Sequence, residues 1–251
     1  IMKRTFILLG AALLFIAGLI LLIRPQEEKP IQSLADKLIR LKFGHDMPIS
    51  SAHHQAALRF ADVVKYKSGG KIRVQVYPNQ ERGTDQEMIE MLREGSLAMS
   101  LPPTSKLTSL IPEMEILDLP FLLQDRQELY WALDGTWGKA LLDTMRPAGL
   151  IGVTFWESGF KQFTANHPLQ KPDDFSGLNF RAMKSHIIME QFRAFGANPI
   201  PIDFHKTYQA LQDGAVAGQE NPIQSIMTMK FNQVQSHLTI SNHAYLAQAF
   251  V

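Results

Sequence analysis

The chain has 251 residues, 45 % of them hydrophobic and 20 % charged, with 25 Lys and Arg against 24 Asp and Glu. This is the balance of a globular chain, and its near-neutral charge excludes the clustered basic excess of a nucleic-acid-binding or polybasic membrane-surface protein. Cysteine is absent, which removes disulfides, thiolate chemistry, Cys-zinc sites and lipobox anchoring together.

In chain order, Lys3 and Arg4 precede an uncharged, largely apolar run over residues 5–23, closed by Arg24 and Pro25. A basic start followed by an apolar stretch is an export signal, and the run is close to the roughly 20 residues that span a bilayer. No Ala-x-Ala site directly follows it, so residues 1–24 fit an uncleaved membrane anchor as well as a removed signal peptide. In both cases the basic end stays cytoplasmic and the rest goes outside. Residues 25–37 are polar and proline-bearing, the composition of a linker.

Globular structure begins where Ile39, Leu41 and Phe43 alternate with polar residues, a strand pattern. Ser50 or Ser51 caps a predicted helix to Lys67 with Ala56, Phe60, Val63 and Val64 inward, and Gly69-Gly70 stops it. A strand through Ile72, Val74 and Val76 follows, then Thr84-Asp85-Gln86-Glu87 with capping-box spacing, a helix to Gly95 and a short strand over 97–101. This is β-α-β-α-β, a sheet with helices on its faces. Two helices are expected over 124–133 and 136–145, and the apolar run 150–156 reads as a strand buried on both faces.

From about Gly159 the pattern restarts. It runs as a strand through Leu178, Phe180 and Ala182, a Ser185-capped helix to Phe195, a strand over 200–202 and a helix over 205–212. A strand over 215–219 comes next, then a helix opening at Asn221-Pro222 with Pro222 at its first position, and strands over 238–240 and 245–251. The same alternation twice implies an α/β fold of two lobes, residues 38–158 and 159–246. The chain stops inside its last strand, so a fragment of a longer protein is expected, its C-terminal part missing.

Enzyme motifs are scarce. There is no nucleophile elbow, H-E-x-x-H, Walker A or dinucleotide glycine fingerprint. Of the eight histidines only His53-His54 are adjacent, and adjacent helical positions point about 100° apart, a poor metal chelate. The histidines are read as solvated or capping, and neither a metal site nor a catalytic residue nor a cofactor is expected. The pairs Asp173-Asp174 and Glu87/Glu90 read as turn and helix-surface chemistry.

What remains suits an anion. Arg181 stands at the carboxyl end of a predicted strand just before a helix start, where α/β sheets bind ligands and free helix amides add positive potential. Its guanidinium is a two-donor fork for a carboxylate, although a surface arginine paired with an acid fits the position equally well. Taken alone, Asn221 would be a helix cap, Lys161 a solvated lysine after the turn 156–160, and Phe204 a core residue.

The segments FGHDMP, KSGGKIRVQVYPN, TDQEMIEMLREGSLAM, LDLPFLL, GLNFRAM, FGANPIPIDF, YQALQDG and GQENP, spread from about Leu41 to Val251, resemble the solute-binding proteins of TRAP transporters, DctP type. The resemblance implies a periplasmic-binding-protein-like fold with a ligand cleft between lobes and a return strand to the first lobe beginning at residues 247–251. It also implies capture of a small organic acid outside the cytoplasmic membrane, and delivery to the small and large membrane subunits of an ion-gradient-driven permease. Arg181 in GLNFRAM matches the family's carboxylate-binding arginine, Asn221 in GQENP its ligand-contacting asparagine, and Phe204 an aromatic beside the ligand. Lys161 sits where many members carry a second arginine, and Ala217 where an Asp is common. His45, Trp156, Gln219 and Glu220 are further cleft-lining candidates. A periplasmic sensor on the same fold, reporting organic-acid occupancy to a signalling partner, is the alternative of a different class.

Overall fold

The computed structural model describes residues 38–251. The expected signal or anchor and the linker, residues 1–37, lie outside the described residues.

Three parallel strands form the first sheet. They are β1 (Ile39–Gly44), β2 (Ile72–Tyr77) and β3 (Met99–Ser100), in the order β2-β1-β3. Parallel neighbours need crossovers, supplied by α1 (Ala52–Lys67) and α2 (Asp85–Arg93). Ser51 Oγ accepts the amide of His54 at 3.1 Å to open α1, and Thr84 and Glu87 form the expected capping box at α2. The buried stripe of α1 begins at His53, His54 and Ala57 and continues through half-buried Phe60 and Val64. Ala56, expected inward, is exposed because it lies about 100° round the helix from Ala57. Helices α3 (Arg126–Asp134) and α4 (Thr136–Asp143) complete this lobe.

The second lobe uses β5 (Asn179–Ala182), α5 (His186–Ala194), β6 (Asn198–Pro201), α6 (Thr207–Gln212), β7 (Gly218–Pro222), α7 (Ile223–Thr228) and β8 (His237–Thr239). Its sheet runs β6-β5-β7-β4-β8, where β4 (Thr154–Ala165) is the strand that crosses between lobes. The first half of β4 pairs antiparallel with β9 (Tyr245–Phe250), and the second half, from Lys161, with β7 and β8. Ser100 and Val251 exchange backbone hydrogen bonds of 2.9 and 3.1 Å, which joins the end of the chain to the first sheet.

Three local expectations are corrected. The apolar run from Leu150 is not yet strand, since Ile151 and Val153 are 64 % and 60 % exposed and pairing starts at Thr154. The expected turn over 156–160 lies inside β4 as a bulge between Glu157 and Gly159, with Gly159 at φ +116°. The strand expected over 215–219 sits at Gly218–Pro222, so Asn221 is a strand residue. Pro222 is therefore the N-cap of the short α7, not its first helical position, and a 3₁₀ turn, Phe231–Gln233, follows it. All three arise from pairing with distant strands, which local composition does not record.

Separate apolar clusters fill the lobes. One gathers Leu107, Met114, Leu129, Met145 and Tyr245, another Phe163, Phe175, Phe180 and Phe192. A third, around Phe204, Leu211 and Phe231, takes in Met47 from the first lobe. No helix among the described residues is long and apolar enough to cross a membrane.

Candidate functional site

A narrow cavity, with about 290 Å³ of empty space that is partly open to solvent, lies between the lobes. The first lobe lines it with Asp46 and Met47, just past β1, and with Pro103 and Lys106, just past β3. The second lobe supplies Arg181 and Met183 from the end of β5, Phe204 beyond β6, Asn221 in β7 and Ser225 in α7, while Leu246 and Gln248 come from β9. Most of these positions lie at or beyond carboxyl ends of strands in parallel pairs, where side chains converge on a crevice not filled by the sheet. Three contacts close the lobes around it. His205 Nε2 meets the Asp46 carbonyl at 2.6 Å, Gln80 donates to Asp203 at 3.4 Å, and Ser105 Oγ approaches Met183 Sδ at 3.1 Å.

Arg181 is 1 % exposed. Its Nε donates to the Ile202 carbonyl at 3.0 Å, which fixes the plane of the guanidinium, while Nη1 is buried without a partner. Burial lowers its pKa to about 10 against the pull of Glu220, Asp203, Asp46 and Asp85, so it stays cationic at neutral pH. Burial likewise raises Asp46 well above the usual carboxylate range, with Asp85 adding and Lys106 opposing. Asp85 is pushed up to about 6 by burial, opposed by Lys106. Asp46 Oδ1 and both Asp85 oxygens are buried without partners. No group of three or more His, Asp or Glu among the described residues is arranged to hold a metal ion.

Of the sequence-predicted site residues, the structure brings Arg181, Asn221 and Phe204 to the cavity wall. The other five do not line it. In β4 and β7 the register sets Lys161 opposite Pro222 and Phe163 opposite Glu220, so the pleat turns Lys161 and Glu220 to one face. Gln219 and Asn221 take the other face, in register with Arg181. Lys161, 0 % exposed, donates to Glu220 at 2.8 Å, and Glu220 also bonds His243 at 2.7 Å and Gln191 at 3.1 Å. Burial alone would raise the Glu220 pKa, but Lys161 and His243 together hold it below the ordinary range. Gln219 bridges Thr164 at 2.9 Å and Asn221 at 2.5 Å, so it positions the asparagine from behind.

His45 is fully buried against His54 at 3.1 Å, and His53 bonds Ser158 at 3.1 Å. The reading of these as solvated or capping histidines is overturned, because they fill the packing between α1, β1 and β4. Burial, with His54 and His53 adding, lowers His45 to about 4. Trp156 packs on Phe250 and Phe43 and opens on a separate groove beside His53. Sequence reasoning missed Lys106 and Asp46. The only available signal was their place just after a strand, the same signal that singled out Arg181.

The model of the bacterial extracellular solute-binding proteins, family 7 (DctP), matches residues 43–251. The chain belongs to this family. Its members are solute-binding components of transport and not enzymes, and the two-lobed architecture above is theirs. The chain is 41 % identical to a C4-dicarboxylate-binding protein, DctB, of Bacillus subtilis over 87 % of its own length. It is 36 % identical to the C4-dicarboxylate-binding periplasmic protein DctP of Rhodobacter capsulatus over 88 %. It spans 62 % and 66 % of the lengths of those relatives. Among solved structures, a TRAP periplasmic solute-binding protein from Sulfurospirillum deleyianum with bound succinate superposes with a TM-score of 0.82 at 39 % identity, over 85 % of this chain and 69 % of that one. A sugar acid binding protein from Advenella mimigardefordensis in complex with galactonate gives 0.83 at 39 % identity, with the same coverage.

Proposed function

We propose that the protein is the extracytoplasmic receptor of a TRAP transporter. It captures a small organic acid between its lobes and delivers it to the permease's two membrane subunits, which an ion gradient drives. Residues 1–24 act as the export signal or anchor that places it in the periplasm, and 38–158 and 159–246 are its two lobes, the chain returning to the first beyond 246. The observation that carries this is Arg181. A guanidinium that is 1 % exposed, oriented by one hydrogen bond and with Nη1 unpaired with protein on a cavity wall, is a donor fork suited to an anion. A ligand carboxylate supplies two acceptors in the geometry of the fork. Asn221, in register on the same face, adds an amide, and Phe204 covers the ligand's apolar part. Lys161, Glu220 and Gln219 brace the strands that carry these groups.

The test is calorimetric titration of the purified protein with a panel of mono- and dicarboxylates, repeated on Arg181→Ala. Removing one partner of a buried charge pair costs about 2–5 kcal/mol, so the variant should lose affinity by about 30-fold or more while remaining folded. A protein that binds no carboxylate, or binds equally well without Arg181, would show the arginine to be structural.

A further inference from the structure

We infer that Asp46 and Asp85, two first-lobe acids at the cavity, form a proton-binding site that takes up a proton when a carboxylate enters beside Arg181. This rests on the carboxylate reading of the cavity and adds a second, linked ligand, the proton. Asp46 lines the cavity just past β1, and Asp85 is the first residue of α2. They are 3 % and 1 % exposed, and Asp46 Oδ1 and both Asp85 oxygens have no hydrogen-bond partner in the protein. An acid at the start of a helix can accept its free first-turn amides, but at α2 Thr84 and Glu87 already make that cap. Among the described residues neither acid forms an ion pair. Buried acid oxygens without a donor are costly as anions and are relieved by a proton.

The groups that face the pair decide when the proton moves. Burial is the largest influence on both acids and raises both, Asp85 to about 6. Around Asp46, Asp85 and Asp203 also oppose ionisation and Lys106 favours it. Around Asp85, Asp203 opposes ionisation, while Lys106, His205 and Arg181 favour it. The anionic form of Asp85 therefore leans on nearby positive charge, that of Arg181 included. A carboxylate bound to the guanidinium cancels this support and brings a like charge into the same cavity. Both changes raise the acid's proton affinity, so the complex holds more protons than the free protein. By linkage, protonation then strengthens carboxylate binding by the same factor, and affinity should rise as pH falls from 8 toward 6.

Fumarate and pyruvate, acids that are themselves ionised above pH 6, are the probes. Titration calorimetry at pH 7 in two buffers of different ionisation enthalpy counts the protons taken up per ligand bound. The wild type should take up about half a proton or more, and its affinity should fall about tenfold between pH 6 and pH 8. Asp85→Asn keeps the shape and cannot ionise. It should take up less than about half as much, vary within about threefold over that range, and bind no more weakly than wild type at pH 8. His205→Gln and Asp118→Asn, which remove a titratable neighbour and a buried acid elsewhere, should keep the uptake. Infrared difference spectra with isotopically labelled pyruvate read the same event in the wild type, as a carboxylate band exchanged for a protonated-carboxyl band. Binding without proton uptake or without that exchange overturns the inference. So does uptake that survives Asp85→Asn or vanishes in His205→Gln or Asp118→Asn. In each of those cases carboxylates still bind through Arg181, and the broader reading stands. Failure of both probes to bind also overturns the inference. The broader reading fails separately, when the full carboxylate panel gives no binding or is indifferent to Arg181→Ala. Thermal unfolding of each variant confirms that it is folded.

Discussion

Asp118 closes a 3₁₀ turn, Pro112–Asp118, with its side chain 1 % exposed and neither oxygen hydrogen-bonded. Burial pushes its pKa up to about 6 despite the nearby Lys161. An acid with a raised folded-state pKa contributes stability that is present below its unfolded value, near 4, and lost as pH rises through 6. At pH 8 the folded protein carries a buried anion that the unfolded chain hydrates. Asp118→Asn should therefore raise stability at pH 8 by about 2–3 kcal/mol, and the gain should fade toward pH 4. Urea titrations of both proteins at pH 8 and pH 4.5 measure this, and a gain that is the same at both pH values would mean the carboxylate is not desolvated. Lys161 and Glu220 show the opposite case. Their mutual hydrogen bond at 2.8 Å gives each a partner in the interior, which is why a residue that reads as a solvated lysine is 0 % exposed.

At the scale of elements, β7 is the piece on which the site depends. It lies between β4 and β5, and its alternation sends Gln219 and Asn221 to the arginine's face and Glu220 to the other. The close approach of these strands needs Gly218. A Cβ there would stand 2.3 Å from the Thr164 carbonyl and 2.6 Å from Phe180 Cε1. Gly218→Ala should cost about 2–3 kcal/mol of stability by overpacking, read as a lower urea midpoint with an unchanged slope. A midpoint shift below about 0.5 kcal/mol equivalent would mean the sheet yields there freely. The bulge at Gly159 has a related use, because it lets one strand serve β9 in the first lobe and β7 in the second.

For the whole molecule, the three contacts named above hold the lobes together, and although Asp46 and Met183 also line the cavity, His205 does not. His205 to the Asp46 carbonyl is the shortest of them. Removing it should shift the balance toward an open form without touching ligand, and a ligand that binds the closed form then loses affinity in proportion to the closed population. His205→Ala is expected to weaken carboxylate binding about three- to tenfold and to enlarge the ligand-free radius of gyration in solution scattering. An unchanged radius together with unchanged affinity would show that other contacts hold the lobes.

Much of this was legible before any tertiary structure. Short-range chemistry was enough for the caps at Ser51, Thr84 and Ser185, for the alternation of β1, β2 and β5, and for Arg181 at a strand end, because each depends on neighbours within a turn or a pleat. The family followed from the order of such segments. What only the tertiary structure decided was which candidates meet. Register between β4 and β7 removed Lys161 from the cavity wall, and the approach of β3's following turn to β5 put Lys106 there instead. The buried histidines went unread for the same reason, since His45 and His53 are covered by strands and side chains far along the chain. Pairing register and burial are long-range properties. The sequence by itself determined most of the elements, the family and the place of Arg181 at a strand end, and the partners across the sheet and across the cleft were settled only where distant segments pack together.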